Sequence, residues 1–206
     1  MEDRRVWQDR LERLAGSGGA DPRAITPKHT PRFIDEFSDE QGHRRPSDRA
    51  FLSHVLGRTI AGCDQIGGVL TPEALWGRVA AGGPEYPALP GEPPMLERNA
   101  YSTIEVWTES LLSSMHALSW IGGHDSVRLD REVSWVIEHI EPDNATRHPW
   151  AVHLFLDRAL RLDDPSAFVY ADELLHVCRV SLGHPDRLSA WILMDSARWL
   201  DAGSSL

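Results

Sequence analysis

The chain has 206 residues, enough for one domain with a full hydrophobic core, and its hydrophobic (41%) and charged (25%) fractions are typical of globular proteins. The formal net charge of -10 argues against nucleic acid or an anionic membrane surface as a partner, because phosphate groups are bound by basic surfaces. No apolar run approaches the roughly 20 residues of a membrane-spanning helix, and Met1–Arg5 lacks an apolar signal core, so we expect a cytoplasmic protein without a membrane segment.

Cysteine, lysine and tryptophan usage narrows the chemistry further. Cys63 and Cys178 lie far apart without CxxC spacing, so we expect structural thiols in a reducing compartment rather than a disulfide. Lys28 is the only lysine and lies in a proline-rich segment, which argues against Schiff-base chemistry; the arginine bias is typical of a GC-rich bacterial genome. The eight tryptophans predict core packing, with a pocket wall or partner anchor as the alternative.

Helix starts follow one pattern, in which a polar residue precedes a proline at the first helical position. The pattern occurs at Thr71-Pro72, His148-Pro149, Asp164-Pro165 and His184-Pro185, and Ser47-Asp48 predicts a further start without a proline. No segment alternates with period two for long enough to predict a strand. The sequence therefore predicts an all-α fold of about seven to eight helices, near residues 3–15, 47–66, 72–81, 98–121, 127–140, 149–161, 166–182 and 186–201.

The domain organisation follows from composition. We interpret residues 1–46 as an N-terminal helix and a surface-wrapping loop rich in Gly, Pro and charge, and residues 47–206 as a single helical domain. Within that domain, residues 82–94 are too rich in proline to be helical and form either a surface connector or the rim of a cleft. From residue 98 onward the connections are short, so we expect successive helices to pack as antiparallel hairpins.

The predicted helix 98–121 carries a pair of carboxylates. Its expected core stripe has three- and four-residue spacing and consists of Ile104, Trp107, Leu111, Met115 and Leu118. Glu105, Glu109 and His116 share another face of this helix. Two carboxylates four residues apart can share a proton or a metal ion, although such pairs also occur on ordinary solvated surfaces. His116 lies too far from Glu109 to join the same ion.

Residues 142–153 carry more side-chain chemistry than a helix connection requires. Asp143 and Asn144 can cap a helix or build an Asx turn, whereas turn geometry does not explain Arg147, His148 and Trp150. We therefore predict a polar pocket whose ligand-binding residues are these five.

The histidines of this segment are candidate catalytic groups. A helix start disfavours an imidazolium, so we expect a neutral His148 that acts as an acid, a base or a hydrogen-bond donor. His153 and Asp157 are four residues apart, and this spacing lets the carboxylate orient the imidazole. No histidine spacing matches a zinc signature, and no GxSxG, phosphate-binding or dinucleotide-binding motif occurs, so we predict neither a metal nor a cofactor.

The capped helices, the Trp-rich faces and the Pro-Asp-Asn-Ala-Thr…His-Pro-Trp segment resemble the helical-hairpin (α/α-toroid-like) class over roughly residues 98–201. That class includes polysaccharide lyases, glycosidases and terpenoid cyclases. A full toroid needs about twelve helices, so the resemblance implies a partial α/α-toroid-like array. The aspartate-rich cyclase motif is absent, because Asp163-Asp164 precedes a helix as a cap, and no catalytic residue is transferred from the class.

Two functions stay open from the sequence. The first is a binding or scaffold protein with a polar pocket at 142–153 that takes a small molecule, a protein partner or a second copy of the chain. The alternative is an enzyme of the hydrolase or lyase type that acts on a small polar or carbohydrate-like substrate. Its candidate catalytic residues are Glu105, Glu109, His148 and His153.

With a pocket at 142–153, His148→Ala should weaken ligand binding and change the melting temperature by only a few degrees.

Overall fold

A computed structural model describes residues 3–58, 70–82, 89–121, 126–142 and 146–202. Within these ranges the secondary structure is helical and contains no strand, so the all-α prediction is confirmed. The described ranges contain nine α-helices, namely α1 (Arg4–Ser17), α2 (Thr30–Glu36), α3 (Pro46–Val55), α4 (Pro72–Ala80), α5 (Ile104–Trp120), α6 (Ser126–His139), α7 (Val152–Leu162), α8 (Pro165–Val180) and α9 (Arg187–Ala202). None of the described helices combines the length and hydropathy needed to cross a bilayer.

Two of the predicted helix starts have the expected capping geometry. The Thr71 hydroxyl accepts the N–H of Ala74 at the start of α4, and the Asp164 carboxylate accepts two N–H groups at the start of α8. Asp164 is thus a cap as predicted, but Asp163 has a different role. It ends α7 in the left-handed conformation, with φ of 53°.

The other predicted starts differ from the structure. The His148-Pro149 prediction is wrong, because Ala151 has a positive φ of 57° and α7 begins only at Val152. The helix predicted after His184-Pro185, near 186–201, is α9 within one residue, but Pro185 lies outside it, and the Asp186 carboxylate accepts the N–H of Ser189 at its start. In contrast, α3 begins with a proline, Pro46, where the sequence suggested a start without one. The short helix α2 was not predicted at all.

The N-terminal helix is part of the main core. Trp7 and Leu11 of α1 are buried, and α1 packs along α9, the last helix of the chain. The other extensive pairings join α3 with α4, α4 with α5, and α7 with α8. The expectation that successive helices pair throughout the C-terminal half therefore holds for α7 and α8, whereas α9 packs mainly against α1 and α7.

The tryptophans pack into this core. Five are almost fully buried, namely Trp7, Trp76, Trp107, Trp150 and Trp191. The other three are partly buried against the same core, namely Trp120, Trp135 and Trp199. Core packing therefore accounts for the high tryptophan content. On α5, four of the five predicted stripe residues are buried, but Ile104 is 50% exposed because it lies at the first position of the helix.

The proline-rich loop is described only outside residues 83–88. Its C-terminal part contacts α6, where Arg131 forms an ion pair with Glu92 and Arg128 donates a hydrogen bond to the carbonyl of Gly91 over 3.1 Å. The backbone N–H of Met95 then donates to the buried carboxylate of Glu132 over 3.2 Å. These contacts fix residues 91–95 on the α6 surface.

Candidate functional site

Glu109, near the middle of α5, is the centre of a polar cluster. His148 Nδ1 is in hydrogen-bond contact with Glu109 Oε1, and the indole N–H of Trp150 donates to the same oxygen over 3.2 Å. The Thr146 hydroxyl is 3.4 Å from Glu109 Oε2. His148 Nε2 lies 3.5 Å from Oδ2 of Asp186, whose other oxygen accepts a backbone N–H at the start of α9. We call Glu109, His148 and Asp186 the charge cluster.

The two carboxylates determine the charge of His148. Burial alone would lower the pKa of His148, but the negative charges of Glu109 and Asp186 outweigh it and raise the pKa to about 10. Burial would raise the pKa of each carboxylate, and their contacts with His148 instead lower it. The raised pKa is opposite to the expectation of a neutral His148. Both ring nitrogens face carboxylates, an arrangement that favours the imidazolium.

Two residues at the start of α3 complete this region. The Arg45 side chain is 42% exposed, and its guanidinium lies 3.7 Å from Glu109 Oε1 and 3.9 Å from Asp39 Oδ2, beyond hydrogen-bond distance. Asp48 is buried, and burial raises its pKa to about 6, although the charges of Arg45 and His148 oppose this. Asp48 Oδ1 is 3.3 Å from the Ser47 hydroxyl, whereas Oδ2 has no hydrogen-bond partner among the described residues.

A second buried polar network lies around Asp195 of α9. His116 Nε2 is 3.2 Å from one carboxylate oxygen and His54 Nε2 is 3.3 Å from the other, while the Trp120 indole donates over 2.8 Å. Burial would raise the pKa of Asp195, but the contacts with His116 and His54 hold it well below its usual range. The pKa of His116 is lowered because burial outweighs the attraction of Asp195.

The protonation of His116 can be read from its neighbours. The backbone N–H of Ala151 donates to His116 Nδ1 over 3.3 Å, so in the neutral ring the proton is on Nε2, which faces Asp195. A protonated Nε2 cannot bind a metal ion. In agreement, the described residues contain no group of three or more His, Cys, Asp or Glu side chains arranged to hold one.

His153 is fully buried between two serines. Its Nε2 is 2.8 Å from the hydroxyl of Ser119, and its Nδ1 is 3.2 Å from that of Ser196. Burial and the adjacent His116 lower its pKa well below the usual value. The predicted pairing with Asp157 is wrong, because that carboxylate contacts Arg4 and Arg161 instead.

The remaining candidates do not form one site. Glu105 lies exposed in the first turn of α5, where hydrogen bonds from its own backbone and from Thr103 lower its pKa. Arg147 is exposed, and Asp143 and Asn144 lie outside the described residues. The structure thus brings together Glu109, His148 and Trp150, and separates Glu105 and His153 from them.

Sequence reasoning missed Arg45, Asp48 and Asp186 as members of this site. Asp48 and Asp186 had a local signal only as helix-start residues, since Asp48 belongs to the predicted start at Ser47-Asp48 and Asp186 follows His184-Pro185. Arg45 and Asp48 lie more than 60 positions before Glu109 in the chain, and no spacing rule connects them to it. A separate groove of about 430 Å³, lined by Arg58, Arg198 and mainly apolar residues, contains none of the predicted site residues.

The cluster can bind polar groups more readily than it can transfer protons. His148 has no unprotonated nitrogen to act as a base, and His153 is closed off from solvent. Arg45, by contrast, offers exposed donors beside partly exposed carboxylates. No protein family model matches this chain, and no curated protein or solved structure was found to resemble it.

Proposed function

We propose that the chain is a helical binding protein that holds a small polar molecule at the edge of the charge cluster, next to the 142–153 segment. The observation that supports the proposal is the exposure of the Arg45 side chain and the small number of its contacts. Its guanidinium is 42% exposed and makes no hydrogen bond within the described part of the chain, although two carboxylates hold it in position. A pre-positioned guanidinium with free donors is suited to binding the oxygen atoms of a ligand.

The exposed parts of the neighbouring side chains extend this surface. The side chains of Glu109 and Asp186 are 23% and 20% exposed, so a ligand bound to Arg45 has carboxylate oxygens within reach. Behind them lies Trp150, packed edge-on against Phe51 with ring centroids 4.9 Å apart. A rigid aromatic base under a polar rim is a common feature of small-molecule sites.

The test is a ligand screen on the full chain, labelled with ¹⁵N and followed by NMR, with amino acids, sugars, amino sugars and small carboxylic acids as probes. We expect at least one class to shift the amide signals of residues 45, 47, 48, 109, 146–148 and 150. Arg45→Gln should weaken that binding about tenfold, the loss expected for one charged hydrogen-bonding group.

Arg32→Gln is the matched control, since Arg32 is an exposed arginine on α2 whose ion pair with Glu36 is local to that helix. It should leave binding unchanged. Binding that is equally strong in both variants, or the absence of binding by every class, would refute the proposal.

An acid–base enzyme of the hydrolase or lyase type is the second candidate. The opposite pKa shifts of Asp48, raised to about 6, and Glu109, lowered, favour it, because such a pair can supply a general acid and a general base. The test is product formation from the same probes, followed by proton NMR. Turnover that disappears in both Asp48→Asn and Glu109→Gln would favour the enzyme over the binding protein.

A further inference from the structure

The site region carries an uncompensated negative charge. Four carboxylates, those of Asp39, Asp48, Glu109 and Asp186, lie around two cations, Arg45 and His148. Glu109 and Asp186 contact His148, and Glu109 and Asp39 also face Arg45. Within the described residues, Asp48 is the one of these carboxylates that forms no ion pair.

Asp48 differs in its ion pairs from two other deeply buried carboxylates that the structure describes. Asp195 also has an oxygen, Oδ1, without a hydrogen bond from a described residue, but that oxygen lies 3.3 Å from His54 Nε2, and its Oδ2 accepts an indole N–H. Glu132 accepts a backbone N–H and pairs with Arg128. Asp48 is only 3% exposed, and its Oδ2 has no partner within the described residues. A buried carboxylate oxygen without a donor is costly, so a donor is expected to reach it in the working protein.

The position of Asp48 next to Arg45 limits the chemical groups that a ligand donating to Oδ2 can carry. The Asp48 N–H donates to the Arg45 carbonyl over 3.2 Å, so the two residues share the first turn of α3. Asp48 also interacts electrostatically with Arg45, His148 and Glu109. A ligand that contacts both side chains therefore needs a cationic donor for Asp48 and an oxygen acceptor for Arg45.

We propose that the site binds a small molecule that has a primary ammonium group and a nearby carboxylate or hydroxyl oxygen. Asp48 binds the ammonium group, and Arg45 binds the oxygen. This inference rests on the proposed binding function and names its ligand class. Amino acids and amino sugars both have this chemistry. The competing explanation is a buried water molecule that satisfies Oδ2, in which case an ammonium group gives no advantage.

Matched pairs of probes test the ammonium group alone. D-glucosamine differs from D-glucose, and L-alanine from L-lactate, by the replacement of one hydroxyl by an ammonium group. In NMR titrations of the full chain at pH 7, we expect at least one amine to bind about tenfold more tightly than its hydroxyl partner. The pair that shows the preference identifies the ligand as an amino sugar or an amino acid.

Asp48→Asn links the preference to this residue. It should reduce the affinity for the amine to that for the hydroxyl partner, and leave the affinity for the partner within about twofold. Equal affinity for both members of each pair in the wild type, or a preference that survives Asp48→Asn, overturns the inference. If the two members of a pair bind the wild type equally and Arg45→Gln weakens both, the binding function stands without the ammonium site. If none of the four probes binds, the inference fails, and the broader screen decides the proposed function. Equal wild-type affinities overturn the inference whether or not the Asn variant folds.

Discussion

His148→Ala should destabilise the protein, the opposite of what the 142–153 sequence suggests. The imidazolium lies between Glu109 and Asp186 and is almost completely buried. Its removal leaves two carboxylates facing each other across a space lined by protein, with no cation between them. The loss therefore combines broken ion pairs with repulsion between like charges.

The magnitude follows from the exposure of the partners. Removal of one member of a fully buried ion pair costs about 3–5 kcal/mol. Here Glu109 and Asp186 keep 23% and 20% of their side chains exposed, so water reaches the remaining charges. We expect a lower free energy of unfolding by about 2–3 kcal/mol. In a domain of this size, that loss lowers the melting temperature by roughly 4–12 °C.

Urea unfolding at pH 7, followed by tryptophan fluorescence and circular dichroism, measures this loss. His176→Ala is the control, because His176 is exposed on α8 and lies outside the cluster; it should change the free energy by less than about 0.5 kcal/mol. The double variant His148→Ala with Glu109→Gln should recover part of the lost free energy of unfolding. If His148→Ala is as mild as the control, His148 does not hold the charge cluster together.

Three further predictions concern single groups. Asp48→Asn should stabilise the protein, because the pKa of Asp48, raised to about 6, makes the charged carboxylate destabilising in the folded state. The gain in the free energy of unfolding, measured with urea, should grow from near zero at pH 4 to about 3 kcal/mol above pH 6. In the wild type, the high pKa of His148 stabilises the fold fully below pH 6.5 and less as pH rises to 10, so the melting temperature should fall over that range, and His148→Gln should flatten the fall. Asp163→Gly should add about 1 kcal/mol of stability, because glycine suits the positive φ of 53° and removes an acid from a helix C-terminus; a loss instead would show that the carboxylate has a structural role.

Local sequence signals predicted the helices where capping chemistry and proline coincide. Thr71 and Asp164 are such positions, and the helices after them begin as predicted. The start at His148-Pro149 failed because tertiary contacts override the local signal there. His148 is held by Glu109 and Asp186, and the chain turns through Ala151, whose N–H bonds to His116, before α7 begins. No local sequence signal predicts the positive φ of Ala151.

The candidate site was predictable in part, for a similar reason. The excess of polar side chains in 142–153 pointed to His148 and Trp150, and the carboxylate pair on the helix pointed to Glu109, which the other two contact in the structure. The sequence could not predict that they meet, since Glu109 and His148 lie 39 positions apart. The prediction of a neutral His148 failed because it considered only the backbone at a helix start. In the structure, the negative charges of Glu109 and Asp186 outweigh the effect of the backbone.

The protonation of the His148 ring tests the account most directly. Nitrogen NMR of the histidine side chains, with His148→Gln to assign the signals, reports the protonation of both ring nitrogens between pH 5 and 9. The account predicts that both nitrogens stay protonated at pH 8, because Glu109 and Asp186 hold the imidazolium. A ring that loses its proton near the ordinary histidine pKa of about 6.5 would contradict it, and would restore His148 as a candidate base.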